Sequence, residues 1–493
     1  MNTAIVLGIA GLYLGTCLLV GMLPGRKSSD SAAGYVAGDR ALGLVVMYFI
    51  TGATIFSAYA FLGAPGWAFS RGGAALYMLA YGTLGFVPFY FLGPRAARLG
   101  KRYGFVTQAE MVAHRFSRPG IAATMALISV LAFVPYLALQ MQGAGIVLEA
   151  MTGGAVDEKL GALLVYGLVL VYVLKSGVLG VGWTNTFQGV FMLALAWGMG
   201  LYLPRVLYGG IGPMFERIAA ERPGFLKPPG LTGGGTPWPW SEYTSSVLVS
   251  IAGFSVFPHL FMKAFSARDE RTIRRTVVLY PSFQLFVVPI LILGFAGVLL
   301  ANAPERADGI LPHLMMNADV PPVLVGLFCA GALAASMSSG DAIAHATASI
   351  VVRDGWVTAL RRPLDAATER LAIRIVLVAV VAVSYGLAVL YTGSLVELLL
   401  YAYGPIVQFA PAVYATLFWR RATGRGVQAG LIAGIATNIL FASNADLRPF
   451  DVHAGVYGLA ANLTALVLVS LLTSHEDEER EREFLATSAE PGD

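Results

Sequence analysis

An all-α integral membrane protein of about 13 transmembrane helices is the fold class this sequence predicts, and three observations predict it. Hydrophobic residues fill 57% of the 493 positions. Charged residues fill only 13%, about half of what a soluble chain carries. Apolar stretches of roughly 20 residues recur along the chain, and each can cross about 30 Å of hydrocarbon as a helix. With a mean hydropathy of +0.69, the composition excludes a soluble globular chain, a disordered one and a collagen-like fibre. The two cysteines, Cys17 and Cys329, sit inside apolar runs and read as small buried hydrophobes, which excludes a disulfide scaffold.

The spans fall in order near residues 4–23, 44–69, 75–92, 121–148, 160–174, 183–203, 243–262, 276–300, 322–352, 371–391, 395–419, 427–442 and 454–472. The first has no basic segment before it and no small-residue cleavage site after it, so it is a span and not a signal peptide. With the N-terminus outside and the spans alternating, 25 of the 33 Lys and Arg residues fall in cytoplasmic segments, beginning with Arg26, Lys27 and Arg40. Bias of that kind over short loops orients membrane proteins, and it places the C-terminus in the cytoplasm. The Pro- and Gly-rich connection 204–240 is the longest external loop and is expected to contain a short surface helix. Residues 1–473 form one transmembrane domain, and the charged tail 474–493 reads as solvated and partly disordered.

Two spans are interrupted near mid-membrane. The second carries Gly52, Thr54, Ser57 and Tyr59 before Gly63-Ala-Pro-Gly66, and the seventh carries Gly253, Ser255, Phe257, Pro258 and His259. Unpaired backbone groups are tolerated in a bilayer only where they line a cavity or are buried in protein. Each interrupted span opens a run of five, about 44–203 and about 241–419, and an odd run gives the two halves opposite topology. Broken helices at matching positions of inverted halves mark the binding site of secondary transporters. The ninth span, Leu333-Ala-Ala-Ser-Met-Ser-Ser-Gly-Asp341, adds hydroxyls. Sodium takes oxygen ligands, and two adjacent serines with a carbonyl one turn earlier offer three. Carbonyls freed at the break of the second span offer two more.

These residues carry a family resemblance over nearly the whole chain. Ser176-Gly-Val-Leu-Gly-Val-Gly-Trp-Thr-Asn-Thr-Phe-Gln188, the Leu333–Asp341 segment, and Tyr403-Gly-Pro-Ile-Val407 followed by Leu417-Phe-Trp-Arg-Arg421 are similar to signature segments of the sodium:solute symporter family. The resemblance implies the five-plus-five inverted-repeat fold shared with the leucine transporter, one helix before it and two after, with discontinuous helices 2 and 7. It implies a sodium site made by the carbonyls of Ala53, Phe56 and Ala335 with Ser338 and Ser339. Asn185 stands where the family signature has Asp, so a second sodium site would be weak and one sodium per cycle is expected.

The solute is expected at the two breaks, against Thr54, Ser57 and Tyr59, Tyr136 and Gln140, Phe257 and His259, and Gln408. A free half-helix N-terminus beside hydroxyls suits a carboxylate. Gly104-Phe-Val-Thr-Gln-Ala-Glu-Met-Val-Ala-His114, Pro135-Tyr-Leu-Ala-Leu-Gln-Met-Gln142 and Phe257-Pro-His259 resemble the bacterial monocarboxylate-permease branch. That resemblance implies sodium-coupled import of lactate, pyruvate, acetate or propionate across a bacterial inner membrane. Alanine, proline or another small neutral solute is the alternative. A transporter-like sensor is the further alternative, and it would have to signal through a separate protein. No catalytic constellation, organic cofactor, nucleic-acid partner or obligate protein partner is read from the sequence. The expected partners are the solute, Na+ and the bilayer.

Overall fold

The computed structural model describes residues 3–23, 32–318, 320–393 and 395–490, so Arg26 and Lys27 of the first expected loop lie outside it. Helix α1 (Thr3–Met22) turns Tyr13 and Cys17 inward and exposes Leu12 and Leu19, the surface a bilayer covers. After the short α2 (Ala32–Ala37), the first repeat begins with α3 (Leu44–Ile55), a π turn at Tyr59–Gly63, and α4 (Ala64–Arg71). Helices α5 (Tyr77–Gly85) and α6 (Phe89–Tyr103) follow, then the connector α7 (Gln108–Arg115) and α8 (Pro119–Met151). Connector α7 starts with a reciprocal cap: Thr107 accepts from the Glu110 amide, and Glu110 accepts from the Thr107 amide.

Helix α9 (Glu158–Tyr208) runs 51 residues and holds two expected spans. They part at Gly177, whose φ of 53° favours glycine and whose missing Cβ leaves room for the Tyr35 carbonyl. The expected surface helix of the long connection is α10 (Ile211–Glu221). The same connection turns Phe225 and Trp238 inward, and Trp238 packs edge-on to Trp67 at 5.5 Å, so it covers that end of the first repeat.

In the second repeat the broken span is α11 (Trp240–Phe254), α12 (Pro258–Phe261) and α13 (Lys263–Ser266). Helices α14 (Glu270–Gln284) and α15 (Val287–Ala296) make the next span, and α16 (Ile310–Asn317) is a connector. Helix α17 (Pro322–Ile350) crosses the middle of the bundle and is buried along most of its length. After it come α18 (Ala366–Leu390), α19 (Leu395–Val407), α20 (Phe409–Phe418), α21 (Gly424–Ser443), α22 (Ala454–Leu472) and α23 (Glu478–Ala489).

Among the described residues, nine helices are long and apolar enough to cross a membrane, and ten with the bent pair Leu44–Ile55 and Tyr59–Gly85, which meet at 57°. The difference from the expected number is local. The bent pair and α9 each hold two spans, and the eleventh span is divided at Gln408. The two repeats meet where α3 starts and α13 ends: Leu42 N–H donates to Ser266 O (3.1 Å) and Arg268 N–H to Leu42 O (3.0 Å). The start of one broken span therefore lies beside the end of the other, so the two cross in opposite senses.

The tail differs from the expectation of a solvated, partly disordered segment. Helix α23 buries Glu481, Phe484 and Ser488 against the ends of α6, α7 and α20. Its charged sequence hid an apolar anchor in Phe484, which stacks on Tyr103 at 5.9 Å.

Candidate cation and solute sites

The break after α3 is a rearrangement of hydrogen bonds. In an unbroken helix the amides of Ser57 and Ala58 would bond the carbonyls of Ala53 and Thr54. Here Ser57 N–H donates to Ile55 O (3.0 Å), and Ala58 N–H donates to Gln140 Oε1 (2.9 Å). The two released carbonyls face α17. Ser338 Oγ donates to Ala53 O (2.9 Å) and Ser339 Oγ donates to Thr54 O (2.7 Å). Ser338 Oγ also lies 3.2 Å from Ala335 O. Four of the five expected cation ligands, Ala53, Ala335, Ser338 and Ser339, thus come together, all fully buried.

Phe56 ends α3 with φ −83° and ψ 76°, and its ring stacks on Phe283 at 5.2 Å, which fixes the break from the side. Gly52 lets α3 close on that ring, because a Cβ there would overlap Phe283. The Thr54 carbonyl was not anticipated as part of the cation site, although adjacent serines opposite a break should meet adjacent carbonyls. A hydroxyl keeps lone pairs when it donates, and it can turn from carbonyl to cation. Carbonyls and hydroxyls from two helices match a hard monovalent cation, and no carboxylate enters the set. Asn185 stands at the edge, its Nδ2 only 3.4 Å from Thr54 Oγ1 and its Oδ1 without a partner.

Asp341 lies one turn beyond Ser338, fully buried. Its Oδ2 accepts from Tyr172 (2.7 Å) and more distantly from Thr184 (3.3 Å). Lys175 is exposed and Lys263 is buried, and among the described residues neither forms an ion pair with Asp341. His345 Nε2 meets the Tyr35 carbonyl at 3.1 Å, which makes it a packing residue.

The solute candidates divide. Tyr59, Tyr136, Phe257 and His259 line a closed cavity of about 20 Å³ with Tyr81 and Tyr403. A second cavity of the same size shares Tyr59 and Tyr81. Each has room for about one water, so the bundle is shut around the site. The His259 ring is held edge-on by Phe133 and Phe257, both at 5.3 Å, and its Nδ1 has no partner. Gln140 spends its oxygen on the break, and its Nε2 is unpartnered. Ser57 is fully buried at the break itself. Thr54 turns away from the cavity: its carbonyl accepts from Ser339 and its hydroxyl meets Asn185.

One expectation needs correction. Gln408 does not reach the cavity: its Nε2 donates to Gly404 O and Gly455 O, and Asn462 Nδ2 donates to its carbonyl (2.8 Å). It pins α19 to α22, where its amide is satisfied by small-residue backbone. Of the two half-helices that could receive a carboxylate, α12 is a single turn with Pro258 at its start and has little dipole to offer, whereas the run from Tyr59 through α4 starts at the break itself. The polar groups lining the cavity are the tyrosine hydroxyls and His259. Tyr81 and Tyr403 were not anticipated as lining; Tyr81 sits in an ordinary apolar span and carried no signal, whereas Tyr403 heads a segment already singled out.

Two oppositely running broken helices, crossing beside freed carbonyls and a shut polar-edged cavity, define a secondary transporter of the inverted-repeat class. The family model for the Sodium:solute symporter family matches residues 35–434, and the chain belongs to that family. It is 25% identical to the osmoregulated proline transporter OpuE of Bacillus subtilis (strain 168), covering 96% of both chains. It is 24% identical to a monocarboxylate transport permease protein of Rhizobium johnstonii, covering 88% of this chain and 89% of that one. The fold matches that of a Na+-coupled sialic acid symporter with a TM-score of 0.79 at 19% identity, covering 96% of this chain and 99% of the other. The family and these relatives are transporters, and the chain is not an enzyme.

Proposed function

We propose that this protein is a sodium-coupled symporter that imports a short-chain monocarboxylate such as lactate, pyruvate, acetate or propionate by alternating access. The observation that carries the reading is the division of the break after α3 into two sides. One side presents carbonyls to Ser338 and Ser339, and the other presents a small aromatic cavity edged by donors. Sodium held between α3 and α17 fixes the break in one shape, and that shape sets Tyr59 and Ser57 for the solute. The cavity has donors for a carboxylate and aromatic walls for a short apolar body, and no Lys or Arg lines it among the described residues.

Proline or alanine is the second reading, favoured by the match to the proline transporter across 96% of the chain. In the membrane we place the N-terminus outside and the C-terminus in the cytoplasm. Arg98, Arg115, Arg118, Arg353 and Arg480 gather at one end of the bundle, tied to Glu270, Glu481, Glu476, Glu110 and His114, which supports that orientation.

The test is uptake into proteoliposomes across acetate, propionate, lactate, pyruvate, alanine, proline and pantothenate, with and without an inward sodium gradient. Sodium-dependent accumulation of a monocarboxylate supports the reading. Accumulation of an amino acid alone would replace it with the second, and uptake indifferent to sodium would remove the coupling.

A further inference from the structure

A cavity of about 810 Å³ lies at the end of the bundle where α6, α20 and α23 meet, far larger than the solute cavity. Arg95, Arg420, Arg421 and Arg482 line it. Arg95 is held in place: its guanidinium lies 4.4 Å above the Phe418 ring and donates to Leu417 O (3.2 Å). Arg421 donates to the Leu471 and Thr473 carbonyls at the end of α22. Among the described residues Arg95, Arg420 and Arg421 make no ion pair.

The carboxylates of the same cavity are already engaged. Glu478 pairs with Arg482 at 2.6 Å, and Glu481 pairs with His475 at 2.9 Å and lies 3.9 Å from Arg115. The cavity therefore carries an excess of positive charge that the protein itself does not neutralise.

The neighbouring surface states what kind of anion fits. On α6 the exposed Phe91 stands one turn before Arg95, and on α20 the exposed Tyr414 and Phe418 precede Arg420 and Arg421. Two helices thus show outward aromatic rings followed by arginine at the same end, the order met on passing from hydrocarbon to headgroup. Phe418 and Arg95 also border an adjoining cavity of about 320 Å³ that includes Tyr90 and Phe91. A soluble phosphate would use the guanidinium groups alone. An amphiphile uses both surfaces.

We propose that this cavity is a binding site for an anionic phospholipid, with its phosphate among Arg95, Arg420 and Arg421 under α23, and its chains along Phe91, Tyr414 and Phe418. The site is independent of the transport reading, and it gives the docked tail a role as one wall of a lipid pocket. Basic pockets between helices on the cytoplasmic side are suited to such headgroups.

The test titrates the purified full-length protein in a neutral detergent with dioleoylphosphatidylglycerol, dioleoylphosphatidylcholine and glycerol 1-phosphate, read by native mass spectrometry. Phosphatidylglycerol should bind at least about five-fold more tightly than phosphatidylcholine. Arg420→Gln should weaken it about five-fold, and Arg95→Gln with Arg420→Gln about 25-fold, from the usual contribution of one arginine near an anionic headgroup. Arg420 is exposed and makes no side-chain hydrogen bond or ion pair among the described residues, so its variant keeps the test open if the double variant fails to fold. Arg217→Gln, which breaks an exposed pair with Glu221 on the long connection, should change nothing. Equal binding of the two lipids, or unchanged binding by Arg420→Gln, overturns the proposal. Displacement of the lipid by an equal concentration of glycerol 1-phosphate also overturns it, in favour of a soluble phosphate site.

Discussion

Replacing Ser338 and Ser339 by alanine separates a sodium site from a packing motif. Each hydroxyl now bonds a carbonyl released by the break, at 2.9 and 2.7 Å. As a ligand in a buried site, a hydroxyl oxygen on a cation is worth about 1.5–3 kcal/mol, taking hydrogen bonds to charged groups as the guide. The alanine also leaves a buried carbonyl unpaired in the ion-free state, at a cost of about 1–3 kcal/mol, and that cost favours sodium. The two effects partly cancel. The expected net change is about tenfold in the half-saturating sodium concentration for each serine, or about 1.4 kcal/mol. For the pair it is on the order of 100-fold if the sites add. Asn185→Ala loses only a 3.4 Å contact to Thr54 and should shift the constant less than about threefold. The assay is sodium-driven uptake into proteoliposomes against sodium concentration, with sodium-induced thermal stabilisation as a readout that needs no solute. Equal shifts from Asn185→Ala and the serine variants, or a Hill coefficient clearly above one, would refute the single-site reasoning.

Tyr136→Phe removes one hydroxyl from the candidate solute cavity. It should raise KM for the solute about two- to tenfold with the sodium constant unchanged, measured by uptake kinetics. Gln408→Ala should leave KM alone and lower the unfolding temperature, since it strands buried groups of α19 and α22 at a cost of about 1–3 kcal/mol. Gly52→Ala sets a Cβ into the Phe283 ring and should destabilise by about 1–3 kcal/mol, seen as a lower melting temperature. Burial and the Arg480 guanidinium hold His114 down to about 4, so its ring is neutral where α23 docks. Its contribution to docking is full above about pH 6.5, the free value, and is lost as pH falls from there towards 4. Burial raises the Glu481 carboxyl, which acts in the opposite direction as pH falls. The His114 part is therefore the difference between the native chain and His114→Gln, measured as tail protection from proteolysis at pH 7 and 5; no difference would exclude it.

The membrane class, the order of the spans and the two breaks were legible because they rest on composition and local backbone chemistry. Apolar length requires a helix in lipid, and Gly52 with Ser57, or Gly253 with Pro258, marks where it stops. The serine pair at 338 and 339 was legible for the same reason: adjacent hydroxyls in an apolar helix have few uses. Failures came where a polar side chain could satisfy itself in more than one direction. Gln408 reads as a cavity amide until Gly404, Gly455 and Asn462 are seen to take it. The tail reads as solvated until Phe484 finds its pocket against Tyr103.

By itself, then, the sequence determined what must be buried in the bilayer, where the backbone gives up its own hydrogen bonds, and which oxygen-bearing residues are at hand. Only the tertiary structure decided which groups meet. It paired Ala53 and Thr54 with the two serines, put Tyr81 and Tyr403 on the candidate solute cavity, and gathered Arg95, Arg420 and Arg421 beneath α23. The physical reason is range. Hydrophobicity and backbone breaks act over one or two turns of the chain, whereas each of these groupings joins residues from different helices, brought together only when the bundle packs.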